Sequence, residues 1–173
     1  MTALSTQPTN TSFLSPLGFR LQIKKTPHLN YFVQTVTMPS VSLGEINVDT
    51  PFTRIPFPST RVTFGNLQVT FKVDEDMKNY LELFNWITSI GLVDNFEQYS
   101  TIAAKPSYGG EGIFSDITLL ILSSAMNPIH EISFKDCFPI DLSELSFDST
   151  SADVEYLTAT VTFANRKFTV SSI

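Results

Sequence analysis

The sequence predicts a mainly β protein: an antiparallel β-sandwich or barrel of about six to eight strands with one flanking α-helix. The 15 phenylalanines, together with many Val, Ile and Thr residues, favour pleated, half-buried surfaces. Several segments alternate apolar and polar residues, as half-buried strands do. A single long segment, near residues 75–90, has the apolar spacing of an amphipathic helix.

The 173 residues are enough for one domain with a sizeable core. Residues 1–16 are rich in Ser, Thr, Asn and Pro, and we expect a flexible N-terminal arm there. Residues 17–173 then form the domain, which includes an extended, proline-interrupted arm at 41–63.

Charge and cysteine content exclude several classes of function. The net charge is −6, and the basic pairs Lys24–Lys25 and Arg166–Lys167 are too small for a phosphate-binding stripe. The lone Cys137 excludes an intramolecular disulfide and a Cys-rich metal site. No signal peptide is recognisable, and the longest apolar run, Ile117–Leu122, is too short to span a bilayer. We therefore expect a soluble protein made in the cytoplasm.

The first two strands are predicted to form a hairpin. Phe19, Leu21 and Ile23 alternate with polar residues, which predicts a strand. After a turn, Tyr31–Thr37 is predicted to return beside it, and Met38–Pro39 ends this second strand because proline cannot donate to a ladder.

The proline-interrupted arm at 41–63 begins with a short strand signal at Glu45–Asp49. Prolines and large apolar residues follow: Pro51, Phe52, Ile55, Pro56, Phe57 and Pro58. The prolines keep the segment extended and outside a central strand position. Its apolar side chains would then contact another chain; the alternative is a loop folded over its own core.

After the strand at Leu67–Val73, the spacing of the apolar residues changes from two to the three and four that are typical of a helix. Asp74, Glu75 and Asp76 supply an N-cap candidate and negative charge at the helix start, and Gly91 is a natural helix end. The predicted apolar face of this helix is Met77, Tyr80, Leu81, Phe84, Ile87 and Ile90. Trp86 lies off that stripe, and either broadens the buried face or touches a neighbouring subunit.

The C-terminal half is predicted to contain a loop and three strands. Val93–Gly112 lacks periodicity and is the predicted loop, whereas Ile113–Leu122 is predicted to be a strand buried on both faces. Ile129–Lys135 returns beside it, and Asp136–Pro139 breaks that strand. Leu157–Phe163 alternates with threonines and forms the last strand.

The sequence predicts neither an enzyme nor a cofactor or metal site. Cys137, His28 and His130 lack the context of a nucleophile and base, and a buried structural thiol is the better interpretation. Two distant histidines do not make a metal site. The acidic stretch at Asp141–Asp148 lacks the spacing of a calcium loop.

Three local patterns resemble the tail tube proteins of contractile-tailed bacteriophages and the inner-tube proteins of related injection machines. The first is Tyr31–Pro39, a strand ending in proline where the arm departs. The second is Leu67–Gly91, the alternating strand that leads into the helix. The third runs from Asn127–Pro139 to the Thr-rich strand at Leu157–Phe163. The resemblance covers nearly the whole domain.

This resemblance implies a structural virion protein whose subunits form stacked hexameric rings around a conduit for DNA ejection. The implied partners are further copies of the chain, tail sheath and baseplate proteins, and DNA that passes through the lumen without specific binding. It implies no membrane segment and a location in the virion tail. The candidate subunit-interface residues are Pro51, Phe52, Ile55, Pro56, Phe57 and Trp86.

Other functions remain open at this point. Within the same fold, the alternatives are a tail completion or baseplate-proximal protein and a secretion-system tube protein. A different class, a monomeric β-sandwich binding module, would carry an exposed aromatic platform and fold the proline arm onto its own core.

Overall fold

The computed structural model describes residues 12–91, 96–105, 112–150 and 156–173. Within them the chain forms nine strands and three helices, which confirms the predicted mainly β fold. In chain order the elements are β1 (Phe19–Ile23), α1 (Leu29–Phe32), β2 (Val33–Thr37), β3 (Val41–Asp49), β4 (Arg54–Phe64), β5 (Leu67–Lys72), α2 (Lys78–Gly91), α3 (Phe96–Ala103), β6 (Ser115–Leu122), β7 (Pro128–Leu142), β8 (Thr158–Ala164) and β9 (Lys167–Ser172). No helix in this part of the chain is long and apolar enough to cross a membrane.

The main sheet has two layers that share the 15-residue strand β7. In the β6 layer, the strand order is β1, β6, the first half of β7, and β9. In the β5 layer, the order is β2, β5, β8, and the second half of β7. Neighbouring strands are antiparallel throughout.

A bulge at Asp136 carries β7 from one layer to the other. One residue separates Ser115 from Ile117 on β6, whereas two separate their partners Phe134 and Cys137 on β7. Asp136 adopts a left-handed conformation with φ of 55°. Because a bulge bends its strand and increases the local twist, β7 can turn here without ending.

The predicted strand break at Asp136–Pro139 is therefore wrong, since β7 continues to Leu142. Proline is tolerated inside it because Pro139 pairs with Phe163 of β8 at a point where the described residues of β6 no longer flank β7.

The inward faces of both layers meet in one hydrophobic core. Its strand residues are Leu21, Ile23, Ile117, Leu119, Ile132, Phe134 and Cys137 in the β6 layer, and Leu67, Val69, Phe71, Ala159, Val161 and Phe163 in the β5 layer. β6 buries only alternate residues fully, so the prediction that it is buried on both faces is wrong. Thr118 and Leu120 on its outer face are only half-buried.

Helix α2 matches the predicted helix in position, but its buried face is rotated: Tyr80 and Ile90 of the predicted face pack against the core, and other members of that face do not. Leu83 and Trp86 are in the core, whereas Leu81 and Phe84 of the predicted apolar face are 45% and 47% exposed. The buried face differs from the predicted stripe because the polar residue Asn79 takes a core position. The Asn79 amide donates to Lys72 O (2.8 Å) and its Oδ1 accepts from Tyr80 N (2.8 Å), so its buried polar atoms are satisfied.

Two further helices are corrections to the prediction. The predicted loop at 93–112 contains α3, an eight-residue helix that packs against α2. The predicted strand at Tyr31–Thr37 begins with the short helix α1, whose Leu29 is buried. The strand that follows, β2, pairs with β5 and not with β1, so the predicted hairpin of the first two strands is wrong. Most of the predicted N-terminal arm, residues 1–11, lies outside the described residues.

Candidate functional site

Strands β3 and β4 form a separate two-stranded sheet, the arm, that extends from the sandwich between β2 and β5. Every residue of β3 is exposed, and so is every residue of β4 except Ser59 and Phe64. At the base of the arm, Gly65 N donates to Ser40 O at 2.9 Å. The arm thus has an ordered backbone and almost no burial of side chains.

One face of the arm is apolar. Ile46 lies opposite Phe57, and Val48 lies opposite Ile55, and directly opposed residues share a face. These four side chains are 56%, 51%, 45% and 42% exposed, in that order. In the outer half of the arm the other face is polar or proline, since Asn47 pairs with Pro56 there, and Leu43 pairs with Val62 only nearer the base. An exposed sheet with one apolar face is the pattern of a surface that lacks its partner.

The tip of the arm is held by local contacts. Thr50 N donates to Thr53 O at 3.0 Å, and Arg54 Nε donates to Asp49 Oδ1 at 2.7 Å. Both charged side chains of this pair are about three-quarters exposed (75% and 73%), so the pair orients the turn more than it stabilises the fold. Phe52 at the tip is 98% exposed.

The prolines of β4 restrict how the arm can bind. Pro56 and Pro58 lie within the strand, and a proline nitrogen has no hydrogen to donate. Prolines on an edge strand prevent continuous pairing with a further strand. The arm is therefore suited to bind through its apolar face.

The candidate interface residues divide into two groups. Pro51, Phe52, Ile55, Pro56 and Phe57 all lie on the exposed arm and stay candidates. The prediction that Trp86 lies at a subunit interface is wrong, because this residue is 2% exposed and belongs to the core of its own chain. Its Nε1 donates to Ile113 O at 3.0 Å, and its ring lies 6.0 Å from that of Phe163.

The outward faces of the two layers differ in chemistry. The β5 layer presents mostly uncharged side chains in cross-strand rows: Thr35, Thr37, Gln68, Thr70, Thr160 and Thr162. Lys72 and Asp141 are the charged residues that the structure describes on this face. The hydroxyls of Thr70 and Thr160 lie 3.1 Å apart. The β6 layer instead presents charged residues, with Arg20 on β1, Glu131 on β7 and Lys167 on β9.

Among the described residues, the cysteine and the two histidines have separate surroundings. Burial raises the pKa of the Cys137 thiol to about 12, so it is not a thiolate near neutral pH. His28 contacts Glu82 of α2, whereas His130 Nδ1 lies 3.3 Å from Ser172 Oγ at the edge of the sheet. Among the described residues, no three His, Cys, Asp or Glu side chains come together in a way that could hold a metal ion.

A family model for the phage tail tube protein matches residues 4–171 of the sequence. The chain belongs to the phage tail tube protein family. It is therefore a structural protein of the viral tail, as the sequence patterns predicted. No curated protein matches the sequence significantly.

Solved structures show that chains of contractile injection machines share this fold. A chain of the sheath–tube complex of an extracellular contractile injection system (PVC) has a TM-score of 0.66 at 18% identity, over 94% of each chain. A chain of the anti-feeding prophage baseplate has a TM-score of 0.64 at 11% identity, over 94% of this chain and 97% of that one. A chain of the anti-feeding prophage cap has a TM-score of 0.63 at 14% identity, over 100% of each.

Proposed function

We propose that this tail tube protein closes into hexameric rings that stack into a tube, and that the arm joins the copies. The observation that carries the proposal is the apolar face formed by Ile46, Val48, Ile55 and Phe57, which has no partner within the described chain. Since each side chain is already about half-buried, complete burial is worth on the order of 1 kcal/mol per residue. Repeated in every subunit of a polymer, such contacts give a stable assembly.

The strand directions of the β5 layer support closure into a ring. Its four strands alternate in direction, so its two outer strands, β2 and the second half of β7, run antiparallel to each other. A copy added head to tail would pair antiparallel strands at each junction. Closing the ring satisfies the open edges, which a lone sheet leaves unpaired.

In the proposed tube, the threonine-rich face of the β5 layer lines the lumen. Hydroxyl and amide side chains carry no net charge and so do not hold DNA phosphates as a basic surface would. Lys72 is the basic residue of β5, and its Nζ lies 4.8 Å from the ring centre of Tyr156. With a net charge of −6 for the whole chain, DNA would pass without specific binding.

Sheath and baseplate proteins are the further partners that we infer. Structural relatives of the chain were solved in a sheath–tube complex and in a baseplate. The chain would be made in the host cytoplasm, would act without a cofactor and would have a structural role only.

A second function within the fold is a protein that ends or completes the tube. The likeness to a chain of the tube-terminating cap favours it. A monomeric binding module is the less favoured function, because the arm does not fold onto its own core as that function predicts.

Electron microscopy of the purified chain tests this proposal. We expect rings or tubes in negative stain and a mass above that of a monomer in light scattering. Single rings that never stack would favour the terminating function. A monodisperse monomer at high concentration would contradict assembly altogether.

A further inference from the structure

We propose that the outward face of the β6 layer binds a carboxylate-rich surface of a second protein. This face is basic in a chain whose net charge is −6. Arg20, Lys24 and Lys167 are exposed on it, and within the described residues none of them forms an ion pair. The proposal rests on the proposed tube only for the direction of this face, which points away from the lumen.

A local rule of strand pairing is broken on this face. Lys135 of β7 lies directly opposite Lys167 of β9. Like charges at directly opposed positions destabilise a sheet. Asp116 Oδ2 accepts from Lys135 Nζ at 2.6 Å, which relieves Lys135 and leaves Lys167 uncompensated. An acidic partner would supply the missing charge.

The nearby carboxylates are largely occupied. Asp116 is paired with Lys135, and its hydrogen bond to Lys135 raises the pKa of that lysine. Asp136 Oδ2 lies 3.4 Å from Arg166 Nη1. The cations without partners are therefore the ones available to a binding surface.

The spacing of the charges favours a protein over a nucleic acid. Arg20 on β1 and Lys167 on β9 are on strands at opposite edges of a four-stranded layer, so about 14 Å separates the two strands. Glu131 lies between them on β7 and would repel a continuous row of phosphates. A neutral middle row of Gln22, Thr118, Ser133 and Thr169 can hydrogen-bond to side chains of a protein partner. Separate cations with hydroxyls between them match an acidic protein surface.

Fluorescence anisotropy with a labelled, glutamate-rich peptide tests the proposal, with a labelled DNA duplex of the same net charge as the competing probe. The test variant is Arg20→Glu with Lys167→Glu. The control is Lys72→Glu with Lys78→Glu, which gives the whole chain the same net charge but changes the β5 layer and α2. We expect the wild type to bind the peptide at low salt, and the test variant to lose at least about tenfold in affinity while the control changes little.

Equal losses in both variants, or no binding of the peptide by the wild type, would overturn the proposal. Tighter binding of the duplex than of the peptide, lost in the same test variant, would overturn it in favour of a nucleic-acid surface. Thermal unfolding of each variant shows whether it is still folded. Negative-stain images show whether it still assembles, so failure of the proposed tube is distinguished from failure of peptide binding. A Lys167→Gln variant, which removes the charge without reversing it, should lose less affinity than the double reversal.

Discussion

The sandwich and the arm are both antiparallel sheets with alternating apolar residues, but within the part of the chain that the structure describes only the sandwich has a partner for its apolar face. Phe71 of β5 is fully buried, whereas Phe57 of β4 is 51% exposed, although both alternate with polar or proline neighbours. In the sandwich, two layers and α2 cover each other's apolar residues within one chain. In the arm, no described residue provides that cover. The buried apolar residues of the sandwich therefore stabilise the fold, whereas the exposed apolar residues of the arm are available for contacts between subunits.

The largest expected difference between the sandwich and the arm is in how much a Phe→Ala substitution lowers the free energy of unfolding. Phe71→Ala removes a fully buried ring from the core and should lower the free energy of unfolding by about 3–5 kcal/mol. The matched change on the arm, Phe57→Ala, should lower it by roughly 1 kcal/mol or less in the monomer. Urea denaturation followed by circular dichroism measures both values. Equal losses would mean that the arm is part of the core.

A smaller effect concerns the thiol of Cys137, which marks the inside of the sandwich. Burial holds its pKa near 12, so the folded chain keeps the thiol protonated while the unfolded chain loses the proton near its usual value of about 9. The unfolded state therefore binds fewer protons between these two values, and stability should fall as pH rises from about 9 to 12.

Comparison with a Cys137→Ala variant isolates this contribution, because other groups titrate equally in both proteins. The stability difference between the two proteins should shift toward the variant as pH rises through this range. A difference that stays constant with pH would contradict the burial of the thiol.

Much of the sandwich could be predicted from the sequence, because a half-buried strand leaves a period of two. The strands around Leu21, Val69 and Val161 all show it, and all three residues are buried. The buried face of α2 could not be predicted from hydrophobicity, because it includes the polar residue Asn79. Hydrogen bonds to backbone atoms of Lys72 and Tyr80 make the burial of Asn79 possible, and a hydrophobicity pattern does not record such bonds. The same limit explains Trp86, whose polar nitrogen finds its acceptor on Ile113.

The arm shows a different limit. Its prolines correctly indicated an extended segment, but they concealed that Arg54–Phe64 is a strand, because proline argues against strand structure in general. Because β4 pairs with β3 on one side only, it needs fewer backbone N–H donors than a central strand does, and it can therefore contain proline. β9 was missed for a related reason: five of its six residues are exposed, so it has almost no apolar period.

The most direct test of the central claim combines assembly and stability in one pair of variants. Ile46→Asp with Phe57→Asp places two charges on the apolar face of the arm, and Asn47→Asp with Thr60→Asp adds the same charge to exposed polar positions that alternate onto the other face. We predict that the first variant stays monomeric in analytical ultracentrifugation while its free energy of unfolding stays within about 1 kcal/mol of the wild-type monomer. The second variant should still assemble. Rings or tubes formed by the first variant, or its unfolding, would contradict the assignment of this face to assembly.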